Sequence, residues 1–438
     1  MNKLTYYIIV LVSLVLQNVQ AQQKEVFIKA GLLYDSAQNT LLKDKGIHIK
    51  GNKIQSITGI NDIPINAEII DLSNYTVLPG LIDAHTHVLF SQDADKDFAA
   101  HSMQTLTMES DALRTLRGAK RVKSYLSEGF TSIKDLGNSG LFLDVALRDA
   151  INEGTIEGPR IFASGPILAS VGGQIYGISH NHQDIIDLEY RIIKNEADAK
   201  NAVREHINQN VDVIKICADN IPNNTRLTID EMKAIVETAH SYGLPVTAHA
   251  ITNQSAWEAI QAGVDGIEHG VLLADSTLIL MAKKQVYLVP TENSRNYMME
   301  YNKLAGNASD DIDWIDNYLN NMKDRLTRAM NYGVPIVAGS DNYTKMNITR
   351  GKSSKDMFRA YFEAGMKPLD ILQSATYISA KHLKKENKIG VIKSNAYADI
   401  IAVKGNIQID FISAMASIVF VMKNGEIQIQ NMGQKQKN

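Results

Sequence analysis

From residue 80 onward, short apolar segments alternate with longer segments of helical spacing, and this alternation limits the possible folds more than any other feature. Strands that alternate with helices favour parallel pairing, with a helix crossing between neighbouring strands. Eight such strands are predicted, at residues 79–87, 131–137, 159–165, 211–216, 245–249, 266–270, 286–290 and 335–341. Eight strand–helix units predict a closed (β/α)8 TIM barrel. A doubly wound open sheet is the alternative, but no Gly-rich nucleotide-binding loop follows any of these segments.

The two ends of the chain differ from this central part, because their short segments alternate polar and apolar residues, as half-exposed strands do. We expect residues 22–78 and 389–430 to form one small β-sandwich domain beside the barrel, which spans residues 79–388. The last residues, 431–438, are predicted to be a polar tail.

The first residues have the pattern of a secretory signal peptide. Lys3 precedes an apolar run over residues 8–16, and Val19-Gln20-Ala21 offers a small-residue cleavage site. We therefore expect a signal peptide over residues 1–21 and a periplasmic or secreted protein without a stable membrane anchor after cleavage. An uncleaved anchor or a buried helix is the alternative. The single cysteine, Cys217, allows no internal disulfide.

The ends of the predicted strands carry side chains suited to binding a metal. His85 and His87 share one face of the first strand, because alternate residues of a strand point the same way. Active sites of barrels lie at the C-terminal ends of the strands. The polar residues at or near these ends are His85, His87, Lys215, His249, His269 and Asp341. Each alone could be an ordinary strand-end residue, but four imidazoles and a carboxylate on one rim predict a metal site.

Lys215 lies between Ile214 and Ile216, so a side chain that faced into the barrel would have to be desolvated. It could instead point outward and reach water between the helices. In a site with two metals, a lysine carboxylated by CO2 offers a carbamate whose two oxygens can bridge the cations. We therefore predict that Lys215 is carboxylated.

These residues resemble the metal-dependent amidohydrolase superfamily. The matching motifs are His85-Thr86-His87 after Pro79-Gly80-Leu81-Ile82-Asp83, Lys215, His249, Glu268-His269-Gly270 and Gly339-Ser340-Asp341. The similarity is greatest to the branch that holds imidazolonepropionase-like proteins and secreted prolidase-like dipeptidases. It covers nearly the whole mature chain and implies a TIM barrel with a small β-sandwich built from both ends.

The resemblance implies a binuclear centre with two divalent metal ions, most often Zn²⁺. His85, His87 and Asp341 would hold one metal, His249 and His269 the other, and carboxylated Lys215 would bridge them. A metal-bridging hydroxide would be the nucleophile, and Asp341 would take its proton and pass it to the leaving nitrogen, so that Asp341 and Lys215 are the implied catalytic residues. The implied activity is hydrolysis of an amide or peptide bond, as in a prolidase-like dipeptidase or an N-acyl-amino-acid hydrolase.

The substrate region departs from the pattern of peptidase-like relatives. Gln174 stands where a Gly-Gly-His loop has its histidine, and Ile251 stands where a tyrosine follows the histidine of the fifth strand. In those peptidase-like relatives, the histidine and the tyrosine are associated with binding a substrate carboxylate. We take Gln174, Tyr176, His182 and Tyr343 as candidate substrate contacts, with a solvated loop residue as the alternative for His182.

Other functions are open at this point. A cyclic-amide hydrolase or a deaminase of a small nitrogen heterocycle would keep one metal, whereas a lactonase or esterase would use the same centre. A non-catalytic binding protein on this barrel would be expected to lose ligands, and no loss is visible. The formal net charge of -3 gives no basic footprint for nucleic acid. The expected partner is a small-molecule amide or dipeptide, and a homo-oligomer is left open.

Overall fold

The structure is a computed structural model that describes residues 24–307 and 312–431. The predicted signal peptide, residues 1–21, lies outside the described residues, as does the tail beyond residue 431. Within the described ranges, no helix is both long and apolar enough to cross a membrane.

The strands and helices follow one another in a repeating order after residue 80. The strands are β1 (Glu25–Asp35), β2 (Thr40–Lys50), β3 (Lys53–Gly59), β4 (Ile69–Pro79), β5 (Leu81–Thr86), β6 (Phe130–Asp135), β7 (Arg160–Ala163), β8 (Ile167–Ala169), β9 (Tyr190–Ile192), β10 (Ile214–Cys217), β11 (Val246–Ala250), β12 (Gly266–His269), β13 (Tyr287–Val289), β14 (Ile400–Val403), β15 (Ile418–Lys423) and β16 (Glu426–Gln430). The α-helices are α1 (Phe98–Met108), α2 (Asp111–Ser127), α3 (Leu143–Asn152), α4 (Gln183–Ile186), α5 (Glu196–Asn208), α6 (Ile229–Ser241), α7 (Asn253–Ala262), α8 (Asp275–Lys284), α9 (Arg295–Leu304), α10 (Ile312–Asn331), α11 (Arg350–Ser354), α12 (Asp356–Glu363), α13 (Pro368–Ser374), α14 (Tyr377–His382) and α15 (Phe411–Ala416).

Strands from the two ends of the chain form one sheet of seven strands, in the order β16-β15-β14-β4-β1-β2-β3. The two ends meet where β14 pairs antiparallel with β4, with Ile401 opposite Leu78. One hydrophobic cluster joins buried side chains of both ends, among them Ile28, Val77 and Phe420. The two β-rich ends therefore share one sheet, while the predicted β-sandwich domain with its bounds stays a prediction.

The central part of the chain forms two parallel sheets, with the orders β13-β12-β11-β10-β8-β9 and β5-β6-β7. Seven of the eight predicted barrel strands overlap one of these strands. The eighth, residues 335–341, makes only an isolated bridge between Ile336 and Leu288 of β13. Its other side contacts β5, where the Ala84 nitrogen donates to the Ala338 carbonyl at 2.9 Å. This α/β arrangement brings the C-terminal ends of the strands to one face.

Local sequence signals account for several element boundaries. Thr228 caps α6, and the Glu231 side chain accepts a hydrogen bond from the Thr228 backbone nitrogen at 2.9 Å, so the two residues form a capping box. The strands β8 and β9 are not among the eight predicted strands. They are only three residues long, too short for a period-two pattern to reveal them.

Candidate metal centre

All six predicted metal ligands line one cavity of about 320 Å³. They come from β5, β10, β11, β12 and the segment 335–341, and they are His85, His87, Lys215, His249, His269 and Asp341. Residues far apart in the chain meet here because each one lies at or near the C-terminal end of its strand.

Three of the six form a compact group of possible ligand atoms. The Nε2 atom of His87 lies 3.1 Å from Asp341 Oδ1, and that of His85 lies 3.5 Å from the same oxygen. The two Nε2 atoms are 3.2 Å apart. Among the described residues, His85, His87 and Asp341 are the group whose ligand atoms all lie within 4.8 Å of one another.

Hydrogen bonds on the far side of each ring determine which nitrogen carries the proton. His85 Nδ1 lies 2.7 Å from Glu268 Oε2, and His87 Nδ1 lies 2.7 Å from the Gly137 carbonyl oxygen. Both partners can only accept, so both Nδ1 atoms donate. In the neutral rings, the two Nε2 atoms then turn lone pairs toward each other and toward Asp341 Oδ1, a buried atom without a hydrogen-bond partner. Three lone pairs that face one another repel unless a cation lies between them.

The spacing of these three atoms suits a divalent metal. In a tetrahedral site with metal–ligand bonds of about 2.0–2.1 Å, neighbouring ligand atoms are about 3.3–3.4 Å apart. The observed separations of 3.1, 3.2 and 3.5 Å bracket that value. Hydrogen bonds from the Nδ1 atoms to a carboxylate and a carbonyl also match the usual support of histidine ligands. The residues present therefore fit a metal ion such as Zn²⁺.

The electrostatic environment favours the protonation states that metal ligands need. Burial, reinforced by the charge of Lys215, lowers the pKa of His85 to about 4 and that of His249 to about 4. Burial alone would raise the pKa of Asp341, but the neighbouring histidines outweigh it and hold the pKa well below its usual range. His87 differs, because its contact with Asp341 outweighs the effect of burial and raises its pKa. The carboxylate thus attracts positive charge to the centre of the group.

The other three predicted ligands lie around the same cavity without forming a compact group of their own. His249 Nε2 lies 3.1 Å from Gln174 Nε2 and 3.5 Å from Asp219 Oδ1, and its ring centroid is 4.6 Å from that of His269. Lys215 is 2% exposed. No described residue forms a hydrogen bond or ion pair with its ammonium group. The binuclear arrangement therefore stays a prediction.

Two of the predicted ligands have a left-handed backbone, which is uncommon for residues other than glycine. The φ angle is 67° at His269 and 48° at Asp341. Backbone hydrogen bonds hold both positions: Asp341 donates to the His85 carbonyl at 2.8 Å, and Gly270 donates to the Ala250 carbonyl at 3.0 Å. Such backbone conformations concentrate at functional sites, where the surrounding structure enforces them.

Glu268 accepts the hydrogen bond from His85 Nδ1, and the sequence analysis named this residue only as part of a motif. It is fully buried, and its second oxygen accepts a hydrogen bond from Lys134 Nζ at 2.8 Å. Lys134 Nζ also lies 2.9 Å from His382 Nε2. The sequence signal for this network was Lys134, which lies inside a predicted strand as Lys215 does.

Three of the four candidate substrate contacts line the cavity, namely Gln174, Tyr176 and Tyr343. His182 does not, because it lies exposed on the 3-10 turn His180–His182 and is not part of the cavity wall. The rest of the wall consists of Phe98, Asn138, Ile167, Ile221 and Pro222, in addition to the six predicted ligands. Apart from the predicted ligands, the cavity wall thus combines apolar side chains with two amides and two tyrosines.

Comparison with known proteins gives consistent results along the chain. The sequence model of the amidohydrolase family matches residues 76–429 of this chain. Ochratoxinase from Aspergillus niger is 26% identical over 410 residues, which cover 88% of this chain and 82% of that protein. A solved structure of a Xaa-Pro dipeptidase with methionine bound in its active site has a TM-score of 0.79 and 29% identity, and the match covers 92% of this chain and 99% of the other.

A shorter similarity connects the chain to imidazolonepropionase from Paenarthrobacter aurescens, which is 27% identical over 132 residues, or 27% of this chain and 32% of that protein. The matched family region, residues 76–429, contains all six predicted ligands and the whole cavity wall.

Proposed function

The chain belongs to the amidohydrolase family and is a hydrolase that acts on carbon–nitrogen bonds, and on that premise we propose that it cleaves an amide or peptide bond of a small substrate in the 320 Å³ cavity. The observation that carries this proposal is the set of three lone pairs, on His85, His87 and Asp341, that face one point. They need a cation, and a cation at this place would lie in the wall of the cavity.

The ligands of two metal ions would be divided between the strands. His85, His87 and Asp341 would hold one ion, and His249 and His269 the other, and nitrogen and oxygen donors of this kind suit Zn²⁺. Bound divalent metal supplies activation of a water molecule and polarisation of the scissile carbonyl. Asp341 Oδ2, which lies 3.7 Å from His269 Nδ1, is the atom that would accept a proton from the attacking water and return it to the leaving nitrogen.

We propose that Lys215 is carboxylated and bridges the two ions. A buried ammonium group without a carboxylate partner is costly, since burial removes its hydration. Reaction of the amine with CO2 forms a nitrogen–carbon bond and releases a proton, so that the product is an anionic carbamate. That change would replace an unpaired cation, surrounded by His85, His249 and His269, with two oxygen ligands.

We propose that the substrate has an apolar group next to the scissile bond, as prolidase-like dipeptides and N-acyl amino acids do. Phe98, Ile167 and Ile221 give the cavity an apolar wall. Among the described lining residues, Lys215 is the only lysine or arginine, so the carboxylate of such a substrate would depend on the metal centre and on uncharged donors. Methionine, which the related dipeptidase structure contains in its active site, is an amino acid with an apolar side chain.

The test is the metal content of the purified mature protein, measured together with hydrolysis of a mixed library of dipeptides and N-acyl amino acids. We expect two equivalents of metal per chain and release of amino acids with apolar side chains. One equivalent and no hydrolysis would favour a cyclic-amide hydrolase or a deaminase. A folded sample without metal, never exposed to chelator, would contradict the proposed centre.

We also propose that the parallel strands close into a barrel next to a small β-sandwich. Hydrogen bonds of 2.9–3.0 Å connect Leu288 with Pro335 and Val337, and Ala84 with Ala338, so residues 335–338 lie between β13 and β5. On the other side, the Asp212 nitrogen donates to the Ala163 carbonyl at 2.8 Å and connects β7 to the start of β10. These contacts are the ones that a closed ring of eight strands needs.

The proposed location is the periplasm or the exterior of the cell, on the strength of the signal-peptide pattern in residues 1–21. N-terminal sequencing of the exported protein tests it directly. Cleavage should leave Gln22 as the first residue, whereas retention of Met1 in the cell interior would contradict the proposal.

A further inference from the structure

A second cavity, of about 480 Å³, lies between helices α1 and α2 and the segment 344–353, and its wall is strongly basic. The lysines and arginines that line it are Lys96, Arg114, Arg117, Lys120, Arg121, Lys345 and Arg350. Only two acidic residues, Asp93 and Glu109, belong to this wall. The chain as a whole has a net charge of -3, so the excess of positive charge is a local property of this cavity.

Four of these cations are already paired with carboxylates. The pairs are Lys96 and Lys345 with Asp93, Arg117 with Glu109, and Arg114 with Glu189. The other three, Lys120, Arg121 and Arg350, have no carboxylate within ion-pair distance among the described residues. The cavity therefore contains three positive charges that form no ion pair with the described carboxylates.

The two unpaired arginines are held in place by backbone oxygens. Arg350 is 8% exposed and donates to the carbonyls of Asn342 at 2.8 Å and Tyr343 at 3.0 Å. Arg121 donates to the Val88 carbonyl at 2.9 Å. Burial, together with the charges of Arg350 and Arg117, lowers the pKa of Arg121 to about 10, so an anion in the cavity would relieve the repulsion between these groups.

We propose that this basic cavity is a binding site for a small tetrahedral oxyanion of the phosphate or sulfate type. Guanidinium groups present several N–H donors in a fixed plane, which suits such oxygens better than chloride. The hydroxyl-bearing residues Ser91 and Thr349 belong to the same wall and add possible donors. Arg121 and Lys120 would contact the anion, and the buried charge of Arg350 would attract it.

The wall between the two cavities connects this site to the candidate metal centre. Gln92 and Thr344 form a backbone bridge, in which the Gln92 nitrogen donates to the Tyr343 carbonyl at 2.9 Å. Tyr343 lines the catalytic cavity, whereas Thr344 lines the basic one. Arg350 also donates to the His87 carbonyl at 3.3 Å, so it fixes the loops that follow both His87 and Asp341.

An anion that binds beside Arg350 should therefore stabilise these two loops and raise hydrolytic activity. This second step rests on the proposed function, while the binding itself does not. Anion binding and metal binding would be coupled thermodynamically. An anion that favours the arrangement of the loops in the metal-bound protein must bind that form more tightly.

Binding of inorganic phosphate is measured by calorimetry at constant ionic strength, with sodium chloride as the balancing salt, and by the shift in melting temperature. The matched variants are R121Q, which removes an unpaired cation of the cavity, and R204Q, in which an exposed arginine that contacts only Asn201 is changed in the same way. We expect binding at least about tenfold weaker in R121Q, since one charge-assisted hydrogen bond is lost, and no change in R204Q.

K120Q, which changes an exposed residue of the same wall, keeps the test valid if R121Q does not fold. We expect K120Q to weaken phosphate binding by a smaller factor. Equal binding in all variants, or an identical melting shift with chloride, would overturn the proposal. Binding without any effect on hydrolysis would leave the site in place and refute only the coupling. A protein that binds phosphate but hydrolyses nothing in the substrate library would contradict the proposed substrate alone.

Discussion

At the scale of single residues, the candidate centre is defined by atoms that repel one another. His85 Nε2, His87 Nε2 and Asp341 Oδ1 approach within 3.1–3.5 Å, although none of the three has a proton to share when both rings donate through Nδ1. Between neutral rings hydrogen bonding cannot stabilise such an arrangement, whereas a metal ion can, as can a proton on His87 Nε2, since the contact with Asp341 raises the pKa of His87. The same reasoning explains why Asp341 Oδ1 is buried without a partner.

Replacement of Lys215 by alanine tests the proposed bridge. Lys215→Ala removes the carbamate, so we expect loss of about one equivalent of metal and of most activity, with partial recovery when a small carboxylic acid is added. Lys233→Ala, at an exposed lysine of α6, is the control and should retain both properties. Unchanged metal content in Lys215→Ala would rule out a bridging role.

Replacement of Glu268 tests the support below the centre. Glu268→Gln leaves Lys134 as a buried cation without a carboxylate, and such a change costs about 3–5 kcal/mol of the free energy of unfolding. It also replaces the carboxylate that accepts a hydrogen bond from His85 Nδ1 with an uncharged amide, so metal affinity should fall by about 10–100-fold.

The double variant Lys134→Met/Glu268→Gln separates the two effects, because it removes the buried cation together with the carboxylate. We expect it to recover much of the stability in urea denaturation without recovering metal affinity. If the double variant were as unstable as the single one, the ion pair would not be the source of the loss.

At the scale of the elements, the meeting of the candidate ligands in one cavity could be predicted because each one lies in or after a local apolar run. His85, His249 and His269 end strands that the sequence marks clearly. The Lys134–Glu268–His382 network could not be predicted in the same way, since its members come from β6, β12 and α14 and only the packing brings them together. The short strands β8 and β9 were missed because three residues show no period.

Gly339 tests how closely the segment 335–341 must approach β5. A Cβ atom at this position would lie 2.5 Å from Val289 Cγ1 and 2.8 Å from His85 Cβ. We expect Gly339→Ala to displace His85, lowering metal content and costing about 1–3 kcal/mol of stability in thermal unfolding. Gly333→Ala, where a Cβ meets nothing within 4 Å, should cost only the strain of its left-handed backbone and keep the metal. Equal metal content in both variants would contradict the close approach.

At the scale of the whole molecule, the seven-stranded sheet makes the two ends of the chain depend on each other. Its strands β4 and β14 pair along Thr76–Pro79, and buried Val77 and Ile400 belong to one hydrophobic cluster. The association of the ends was predictable from their alternating pattern, but the strand order was not, since it depends on contacts between distant residues.

Truncation after residue 388 removes β14, β15 and β16 and exposes the apolar face of β4. We expect this chain to be insoluble or to melt well below the full-length protein, as measured by soluble yield and thermal unfolding. Truncation after residue 431 removes none of the strands and should leave the melting temperature unchanged. A soluble, cooperatively folded chain that ends at residue 388 would contradict this dependence.

The pairing of β4 with β14 also bears on when the proposed metal ions could be acquired. β4 leads directly into β5 and its histidines, yet its neighbour β14 is made near the end of synthesis. A chain exported in an unfolded state would complete this sheet only after translocation. The ions that enter the centre would then be those available outside the cytoplasm. The identity of the metal would depend on the compartment in which folding ends as well as on the ligands.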